Sequence, residues 1–421
     1  MKFLPRQQLT RVIIFSLFFS LTACNMSQRP IGNPQAPYPP SKSLAVGDIY
    51  HLPTGVKVTA GEMTGAITDS RIIYVGETHD NPASQRLELQ ILKAMAERYP
   101  GEVSLGMEMF NHEQQPALND WITGKLSEKE FLKAANWQNV WSQDFTYYRD
   151  LLQFARDHRL PVIGLNITKE LRRKVAMTPL DELDAETRAQ LPAMDFDDRY
   201  QRALTEAIYA DHSQGGKMLD SFLRVQTLWD EAMAEAIVKT LTEADPGHRM
   251  VVVAGGNHIR YGFGIPRRVY RRLPTSYLLV GSRELVIPKE KEKNLMNVVL
   301  PHFPMPPYDY MVYTEYESLP GERVKLGILM QEEANRVVVA TVVPESTADK
   351  AGLLAKDILI ALDEVVIEES FDLIYELNQR VIGERATLTI ERDGMPLKLE
   401  LTFTPLAKSD RHGAPKEHNK Q

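Results

Sequence analysis

Continuous apolar runs alternate with helical patterns through the first two thirds of the chain. Residues 72–75, 103–109, 162–165 and 250–254 are apolar at almost every position, which is typical of strands buried on both faces. Segments with helical periodicity, such as 82–98, lie between these runs. The alternation predicts an α/β fold with a mostly parallel central sheet flanked by helices, followed by a small, mainly-β domain near the C-terminus.

Two of the predicted strands end in nearly the same turn. Residues 76–79 read Gly-Glu-Thr-His, and residues 255–258 read Gly-Gly-Asn-His. The carboxyl ends of parallel strands line the ligand crevice of an open α/β sheet. Glu108 ends another run between two methionines, where an unpaired carboxylate would be costly. The candidates for one shared site are Glu77, His79, Glu108 and His258. In the alternative interpretation, Glu108 pairs with an arginine such as Arg260 and the histidines cap helices.

Proline and charge patterns divide the chain. The predicted segments are a signal peptide at 1–23, a proline-rich tether at 24–43, an α/β domain at 44–286, a linker at 287–321, a second domain at 322–405 and a disordered tail at 406–421. The linker carries Lys-Glu alternation and four prolines between 301 and 307, which indicate a domain boundary. Alternatively, its aromatic residues Phe303, Tyr308 and Tyr310 pack onto the first domain.

The N-terminus has the pattern of an export signal. Basic residues precede an apolar stretch at 12–21, too short to span a bilayer. Residues 21–24 (Leu-Thr-Ala-Cys) resemble the bacterial lipoprotein box, which implies acylation of Cys24, the only cysteine. Asn25 resembles the pattern of lipoproteins sorted to the outer membrane of Gram-negative bacteria, so we expect a lipid-anchored, periplasm-facing protein. The alternative is an ordinary secretory signal. A net charge of −7 argues against a general nucleic-acid partner.

The second predicted domain resembles a known peptide-binding module. Residues 344–353 and 356–363 carry the Pro-x-Ser-x-Ala, Ala-Gly-Leu and x-Asp-x-Ile motifs, which resemble PDZ domains of bacterial protease-associated proteins. The backbone amides of Leu326, Gly327 and Ile328 would then receive a chain-terminal carboxylate while the adjoining strand edge pairs with the peptide. A helix near 370–379 would form the other wall. Alternatively, the module is a spacer or a dimerisation element.

The first domain resembles the ChaN-type haem-binding lipoproteins of the Tiki superfamily. The resemblance rests on 75–81 (Val-Gly-Glu-Thr-His-Asp-Asn), 107–109, 226–234 (Gln-x-x-Trp-Asp-x-x-Met-Ala) and 255–258. It implies a role in haem or iron handling, noncovalent haem, and tyrosine ligation of the iron helped by histidine, with a homodimer as one arrangement. The ligand candidates are Tyr209, His212 and His258. The basic residues Arg267, Arg268, Arg271 and Arg272 would contact the propionates or phospholipid, or form a solvated helix end.

More distant members of the superfamily leave two alternatives open. Tiki proteases and erythromycin esterases place glutamate and histidine at comparable strand ends for hydrolysis. The resemblance then implies that His79 and His258 hold a divalent metal, or that Glu77, His79, Glu108 and His258 activate water. No His-Glu-x-x-His motif is present. The third hypothesis is a membrane-tethered PDZ adaptor without catalysis, so the sequence leaves enzyme status open.

Overall fold

The apolar runs of the sequence form the centre of a sheet that is covered on both faces. The computed structural model describes residues 32–40, 43–210, 216–292, 298–319, 321, 323–334 and 336–405. The strands of the first sheet are β1 (Ile49–His51), β2 (Val56–Val58), β3 (Ile72–Glu77), β4 (Val103–Asn111), β5 (Val162–Asn166), β6 (Arg249–Gly255), β7 (Tyr277–Val286) and β8 (Tyr310–Glu315). Their order is β2-β1-β8-β7-β3-β6-β4-β5. Strands β3 to β8 pair in parallel, and β1 runs antiparallel to β2 and β8.

Helices cover both faces of this sheet. They are α1 (Ala60–Ile67), α2 (Pro82–Arg98), α3 (Gln115–Ile122), α4 (Glu128–Ala134), α5 (Trp137–Val140), α6 (Thr146–Asp157), α7 (Lys169–Met177), α8 (Ala185–Ala189), α9 (Arg199–Tyr209), α10 (Gly216–Glu243), α11 (Gly256–Ile259), α12 (Ile265–Arg272) and α13 (Lys289–Glu292). Ile73 and Val75 of β3 face the side covered by α2, whereas Ile72 and Tyr74 face α10 and α12. Both faces of β3 are therefore apolar, as the continuous run predicts.

The connections place a crevice between β3 and β6. The chain leaves β3 towards β4 on one side, and it leaves β6 towards β7 on the other side. Because β3 and β6 are neighbours, the connections diverge at their carboxyl ends and leave a space there. Both predicted Gly-x-x-His turns lie at this point of the sheet.

Part of the predicted linker belongs to the first sheet. Residues 310–315 form β8 between β7 and β1, and the side chains of Phe303, Tyr308 and Tyr310 are buried. The Tyr308 ring lies against two strand glycines, because a Cβ added to Gly281 or Gly76 would come within 2.6 or 2.8 Å of it. The linker expected at 287–321 is therefore corrected over this part, and the alternative, in which Phe303, Tyr308 and Tyr310 pack onto the first domain, describes the structure. Burial of the aromatic rings holds the segment on the domain.

A second, antiparallel sheet follows. Its strands are β9 (Ile328–Glu333), β10 (Arg336–Val342), β11 (Ile358–Leu362), β12 (Val365–Val366), β13 (Arg385–Arg392) and β14 (Met395–Thr402), with helices α14 (Thr347–Lys350) and α15 (Ser370–Leu377). Strand β9 lies at the edge of this sheet. Helix α15 contacts the first domain through an ion pair of 3.0 Å between Lys129 and Asp372, and through Phe371 and Tyr375. The predicted fold class, α/β followed by a mainly-β domain, is confirmed.

The described helices include none that is both long and apolar enough to cross a bilayer. Cys24 and the predicted signal peptide lie outside the described residues, as does the whole of the predicted tail at 406–421.

The close approach of Tyr308 to the sheet predicts the effect of adding one methyl group. We expect Gly281→Ala to lower the free energy of unfolding by about 1–3 kcal/mol, because its Cβ overlaps a buried ring that has no room to move. Gly65→Ala, in the exposed helix α1 with nothing within 4 Å of its Cβ, should instead raise it by about 0.5–1 kcal/mol. Denaturant unfolding of both variants measures the difference, and equal effects would contradict the assigned packing.

Candidate functional site

A cavity of about 960 Å³ opens at the carboxyl ends of β3, β4 and β6. This volume lies near the upper end of the range for small-molecule pockets, roughly 300–1,000 Å³. Its lining includes all four residues that the sequence placed at strand ends: Glu77, His79, Glu108 and His258. The parallel register of the strands therefore brings these side chains into one space, as predicted.

The first imidazole is held by a buried carboxylate. Nδ1 of His79 lies 2.5 Å from Oε1 of Glu77. The same oxygen accepts a hydrogen bond of 2.9 Å from the Tyr148 hydroxyl, and Oε2 accepts one of 2.6 Å from Nε2 of Gln85. Tyr148 and Gln85 fix the carboxylate, which orients the ring of His79 and places its Nε2 beside Gly255 in the cavity lining.

The second imidazole has the same arrangement. Nδ1 of His258 lies 2.6 Å from Oδ1 of Asp230, and its Nε2 lies 3.5 Å from Oε1 of Glu108. Glu108 in turn accepts a hydrogen bond of 2.7 Å from the backbone N–H of Gly255. Gln226 lies 3.0 Å from Nδ1 of the same ring. Glu108 thus pairs with a histidine and a backbone amide rather than with Arg260, and the alternative pairing is corrected.

These contacts shift the protonation of three groups strongly. Burial alone lowers the pKa of both histidines, but the carboxylates beside them outweigh it, so the pKa is raised to about 9 for His79 and about 10 for His258. Burial alone raises the pKa of Glu108, whereas His258, His79 and the Gly255 amide together lower it to about 2. At neutral pH both imidazoles are therefore cations beside an ionised Glu108.

The sequence did not single out Asp230 and Gln226 as site residues. They lie four residues apart on α10, both buried, and both contact His258. A buried aspartate within an apolar helical stripe was the available signal, because such a group requires a partner. Asp230 also accepts a hydrogen bond from Gln201, whose own side-chain oxygen accepts one from Arg268.

The arginine cluster on α12 does not face the cavity. Arg268 and Glu231 are completely buried, with Nε and Oε1 3.1 Å apart. Arg271 and Arg272 also bind Glu231, at 2.9 and 2.7 Å, and Arg267 binds Asp195 at 3.0 Å. The prediction that these arginines contact propionates gains no support, because none of them lines the cavity. Arg267 and Arg271 are exposed, as expected for a solvated helix end, whereas Arg268 is buried and pairs with the buried Glu231.

Aromatic and aliphatic side chains form the cavity walls. Trp141 packs edge-to-face on His79 with ring centroids 5.0 Å apart, and Trp229 packs in the same way on His258 at 5.9 Å. Further apolar lining comes from Met109, Val140, Ile167, Ile208, Phe222, Val298 and Leu300. The basic residues of the lining are Lys169, Arg172 and Arg260. The cavity therefore combines apolar walls with a polar floor.

The remaining candidates from the sequence lie elsewhere. Tyr209 is buried on α9 with its ring 4.9 Å from that of Phe222, and it is not part of the cavity lining. His212 lies outside the described residues. The His, Cys, Asp and Glu side chains of the described part of the chain form no group of three or more suited to a metal ion, so the metal hypothesis gains no support.

The predicted peptide-binding segment precedes the edge strand of the second sheet. Leu326 is buried, and Gly327 has a φ of 82°, a conformation that favours glycine. Ile328 is the first residue of β9. The carbonyl of Gly327 accepts a hydrogen bond of 2.8 Å from the backbone N–H of Val343. The predicted positions thus form a turn leading into an edge strand, and their role in peptide binding stays a prediction.

One buried carboxyl group lies behind the site. Glu88 of α2 is completely buried. Burial and the adjacent Glu77 carboxylate raise the pKa of Glu88 well above 4.5, so it stays protonated in the folded chain. In the unfolded chain, the Glu88 carboxyl group loses its proton above the ordinary glutamate pKa of 4.5. Glu88 therefore lowers stability progressively as the pH rises above about 4.5.

We expect Glu88→Gln to stabilise the protein more at pH 8 than at pH 5. The advantage should grow by about 1.4 kcal/mol per pH unit until the pKa of folded Glu88 is reached, because glutamine cannot ionise. Unfolding by urea across this pH range measures it. Glu97→Gln, at an exposed position of the same helix, is the matched control. An advantage of Glu88→Gln that does not change with pH would contradict the assigned protonation.

Comparison with known proteins agrees with this architecture. Residues 63–269 match the family model described as haem-binding uptake, Tiki superfamily, ChaN, and residues 324–403 match that of the PDZ domain. The protein RETICULATA-RELATED 5, chloroplastic, of Arabidopsis thaliana is 25% identical over 232 residues, which are 51% of this chain. The chain spans only 31% of the length of that curated relative.

Solved structures also resemble the two parts of the chain. The structure of cofacial heme binding to ChaN of Campylobacter jejuni covers 63% of this chain and 95% of its own, with 16% identity and a TM-score of 0.49. A serine endoprotease from Yersinia pestis covers 20% of this chain and 29% of its own, with 20% identity and a TM-score of 0.18. Residues 63–269 are a ChaN-type domain of the Tiki superfamily, and residues 324–403 are a PDZ domain.

Proposed function

We propose that this chain binds haem in the cavity of its ChaN-type domain and a peptide or protein C-terminus in its PDZ domain. The family is described as haem-binding uptake. Noncovalent iron porphyrin requires an axial donor, an apolar slot and partners for its propionates. The cavity offers imidazoles, aromatic walls and basic side chains, so the residues present fit the group. When bound, haem supplies an iron centre that accepts a lone pair from the protein.

His79 is the donor that the geometry favours, and this observation carries the proposal. Its Nδ1 is hydrogen-bonded to Glu77. Its Nε2 lies close to Gly255, since a Cβ added to that glycine would be 2.9 Å away. Its side chain is 34% exposed, whereas that of His258 is 9% exposed and has Nε2 directed at Glu108. A carboxylate on the far ring nitrogen orients an imidazole ligand and raises its basicity. His258 is the more enclosed of the two and is already engaged.

The protonation of His79 makes the proposed ligation dependent on pH. Iron binds the neutral imidazole, and His79 carries a proton below its pKa of about 9. Binding must therefore displace that proton at neutral pH. The cost is larger for His258, whose pKa is raised to about 10. This difference again favours His79 as the ligand.

Titration of the purified full chain with haemin tests the ligation. We expect a saturable Soret shift whose affinity rises up to about tenfold per pH unit between pH 6 and 9, because one proton competes with the iron. His79→Phe should abolish this pH dependence and weaken binding. His158→Phe, at an exposed histidine on the far end of α6, is the matched control.

The sequence-derived ligands are tested in the same titration. Tyr209→Phe and His212→Ala should leave the spectrum and the pH dependence unchanged if His79 is the axial donor. A spectrum that changes in Tyr209→Phe but not in His79→Phe would transfer the ligand role to Tyr209. Absence of a saturable shift in the unaltered protein would contradict haem binding itself.

Hydrolysis is the second candidate, because two carboxylate-backed imidazoles converge on Glu108. A general base works best when its pKa lies near the operating pH. Here the ionised Glu108 has a pKa of about 2, and both imidazoles hold protons up to about pH 9 and 10. Glu108 is a weak base and the imidazoles are weak acids at neutral pH. The electrostatics therefore favour ligand binding over water activation.

A hydrolysis screen with ester and peptide substrates distinguishes the two functions. We expect the unaltered protein and Glu108→Gln to show the same background rate at pH 7. Glu113→Gln, at an exposed glutamate just beyond β4, controls for the loss of a negative charge. Turnover that Glu108→Gln abolishes and Glu113→Gln retains would favour the hydrolase.

The proposal includes an anchor at the envelope of a Gram-negative bacterium. The lipoprotein box ending at Cys24 supports acylation, and Asn25 supports sorting to the outer membrane with the domains facing the periplasm. Several acyl chains on one residue give stable anchoring. The PDZ domain would then recruit a partner to a haem-binding domain held near the membrane, and a homodimer is one arrangement for sharing the ligand.

A further inference from the structure

We infer that Arg172 and Trp229 form a carboxylate-recognition subsite at one end of the cavity, so that the protein selects porphyrins with free propionates. This inference rests on the proposed haem binding and specifies which part of the ligand faces which wall. Neither residue was singled out by the sequence for this role. Arg172 takes the propionate-binding role that the sequence assigned to the arginines of α12. Three of those arginines are paired with Glu231 instead.

The guanidinium of Arg172 lies over the ring of Trp229, 5.9 Å from its centroid. Among the described residues, no carboxylate lies within ion-pair distance of Arg172, although its side chain is half-buried in the cavity wall. Stacking on an aromatic face holds the planar guanidinium in place and leaves its N–H groups at the edge available. That edge matches the two oxygens of a carboxylate.

The other basic residues of the cavity are already engaged. Nζ of Lys169 donates to the backbone carbonyl of Asn139, and Nε of Arg260 donates to that of Gly256 at 3.3 Å. Arg172 makes no comparable hydrogen bond within the described residues. It is therefore the cation of this cavity that a ligand can pair with at the least cost.

The charges of the cavity are distributed unevenly across the sheet. Its acidic residues lie on β3, β4 and β7 or directly after β3, in the middle of the sheet: Glu77, Asp80, Glu108 and Glu284. The cationic rings of His79 and His258 lie among them and are paired with Glu77 and Glu108. Lys169 and Arg172 lie on α7, which follows the edge strand β5, and neither forms an ion pair within the described residues. A ligand carboxylate therefore meets other carboxylates in the first region and unpaired positive charge in the second. The propionates of a bound porphyrin should therefore point towards α7.

The aromatic contacts connect this subsite to the polar floor of the cavity. Trp229 packs on Arg172 with one part of its surface and edge-to-face on His258 with another. His258 and His79 both face Glu108 at the floor. His79, Trp229 and Arg172 line the same cavity, so His79 would hold the iron, Trp229 would contact the apolar macrocycle and Arg172 would pair with its acidic groups.

Titration with two porphyrins tests the inference. We use haemin and haemin dimethyl ester, in which both carboxylates are esterified while iron and macrocycle are retained. The full chain should bind haemin about tenfold more tightly than the diester, as expected for one charge-assisted pair. Arg172→Gln should lose this preference by weakening haemin binding about tenfold without affecting the diester. Arg172→Lys should restore part of it, because the charge returns without the planar fork.

Arg173→Gln is the matched control. Arg173 is the next residue of α7, is exposed and does not line the cavity, so its substitution should change neither affinity. Equal weakening of both porphyrins by Arg172→Gln would mean that Arg172 only supports the wall, and would overturn the inference. Equal binding of the two porphyrins by the unaltered protein would overturn it as well. In both cases haem binding itself stands, whereas no saturable haemin binding would contradict the proposed function too.

Discussion

Glu108 is a carboxylate at the carboxyl end of a parallel sheet, where it is only 7% exposed and little water can solvate its charge. The Gly255 amide and the imidazole of His258 compensate that charge, and their effect outweighs burial, so the pKa falls to about 2. The imidazole in turn needs Asp230 to remain a cation. Each buried charge in this site therefore depends on the next, and the loss of any one leaves another uncompensated.

This dependence extends well beyond the cavity. Asp230 accepts a hydrogen bond from Gln201, and Gln201 accepts one from Arg268, which is paired with the completely buried Glu231. Arg268 of α12 thus acts on the site by helping to orient Gln201 and Asp230, and not by lining the cavity. On the other side of the crevice, Tyr148 and Gln85 hold the carboxylate that orients His79. Rigid support of this kind fixes where each imidazole nitrogen points.

The same constraint limits the chemistry of the site. Groups that ionise near pH 2, 9 and 10 do not exchange protons readily at neutral pH, so the cluster is better suited to orienting a ligand than to acid–base turnover. The walls agree with this role, because Trp141 and Trp229 pack against the two imidazoles. The uneven charge of the cavity then decides how an acidic ligand lies within it.

By itself, the sequence determined the class of fold and the position of the site. Short continuous runs of β-branched apolar residues are typical of strands in a sheet covered on both faces, and parallel strands bring Glu77, Glu108 and His258 together at one edge. Only the tertiary structure decided which side chains meet them. Asp230 lies 28 residues from His258 along the chain, and Arg172 and Tyr308 come from still other segments. No local pattern encodes such contacts, because they arise when distant elements pack to satisfy buried charge and fill the space beside the strand glycines.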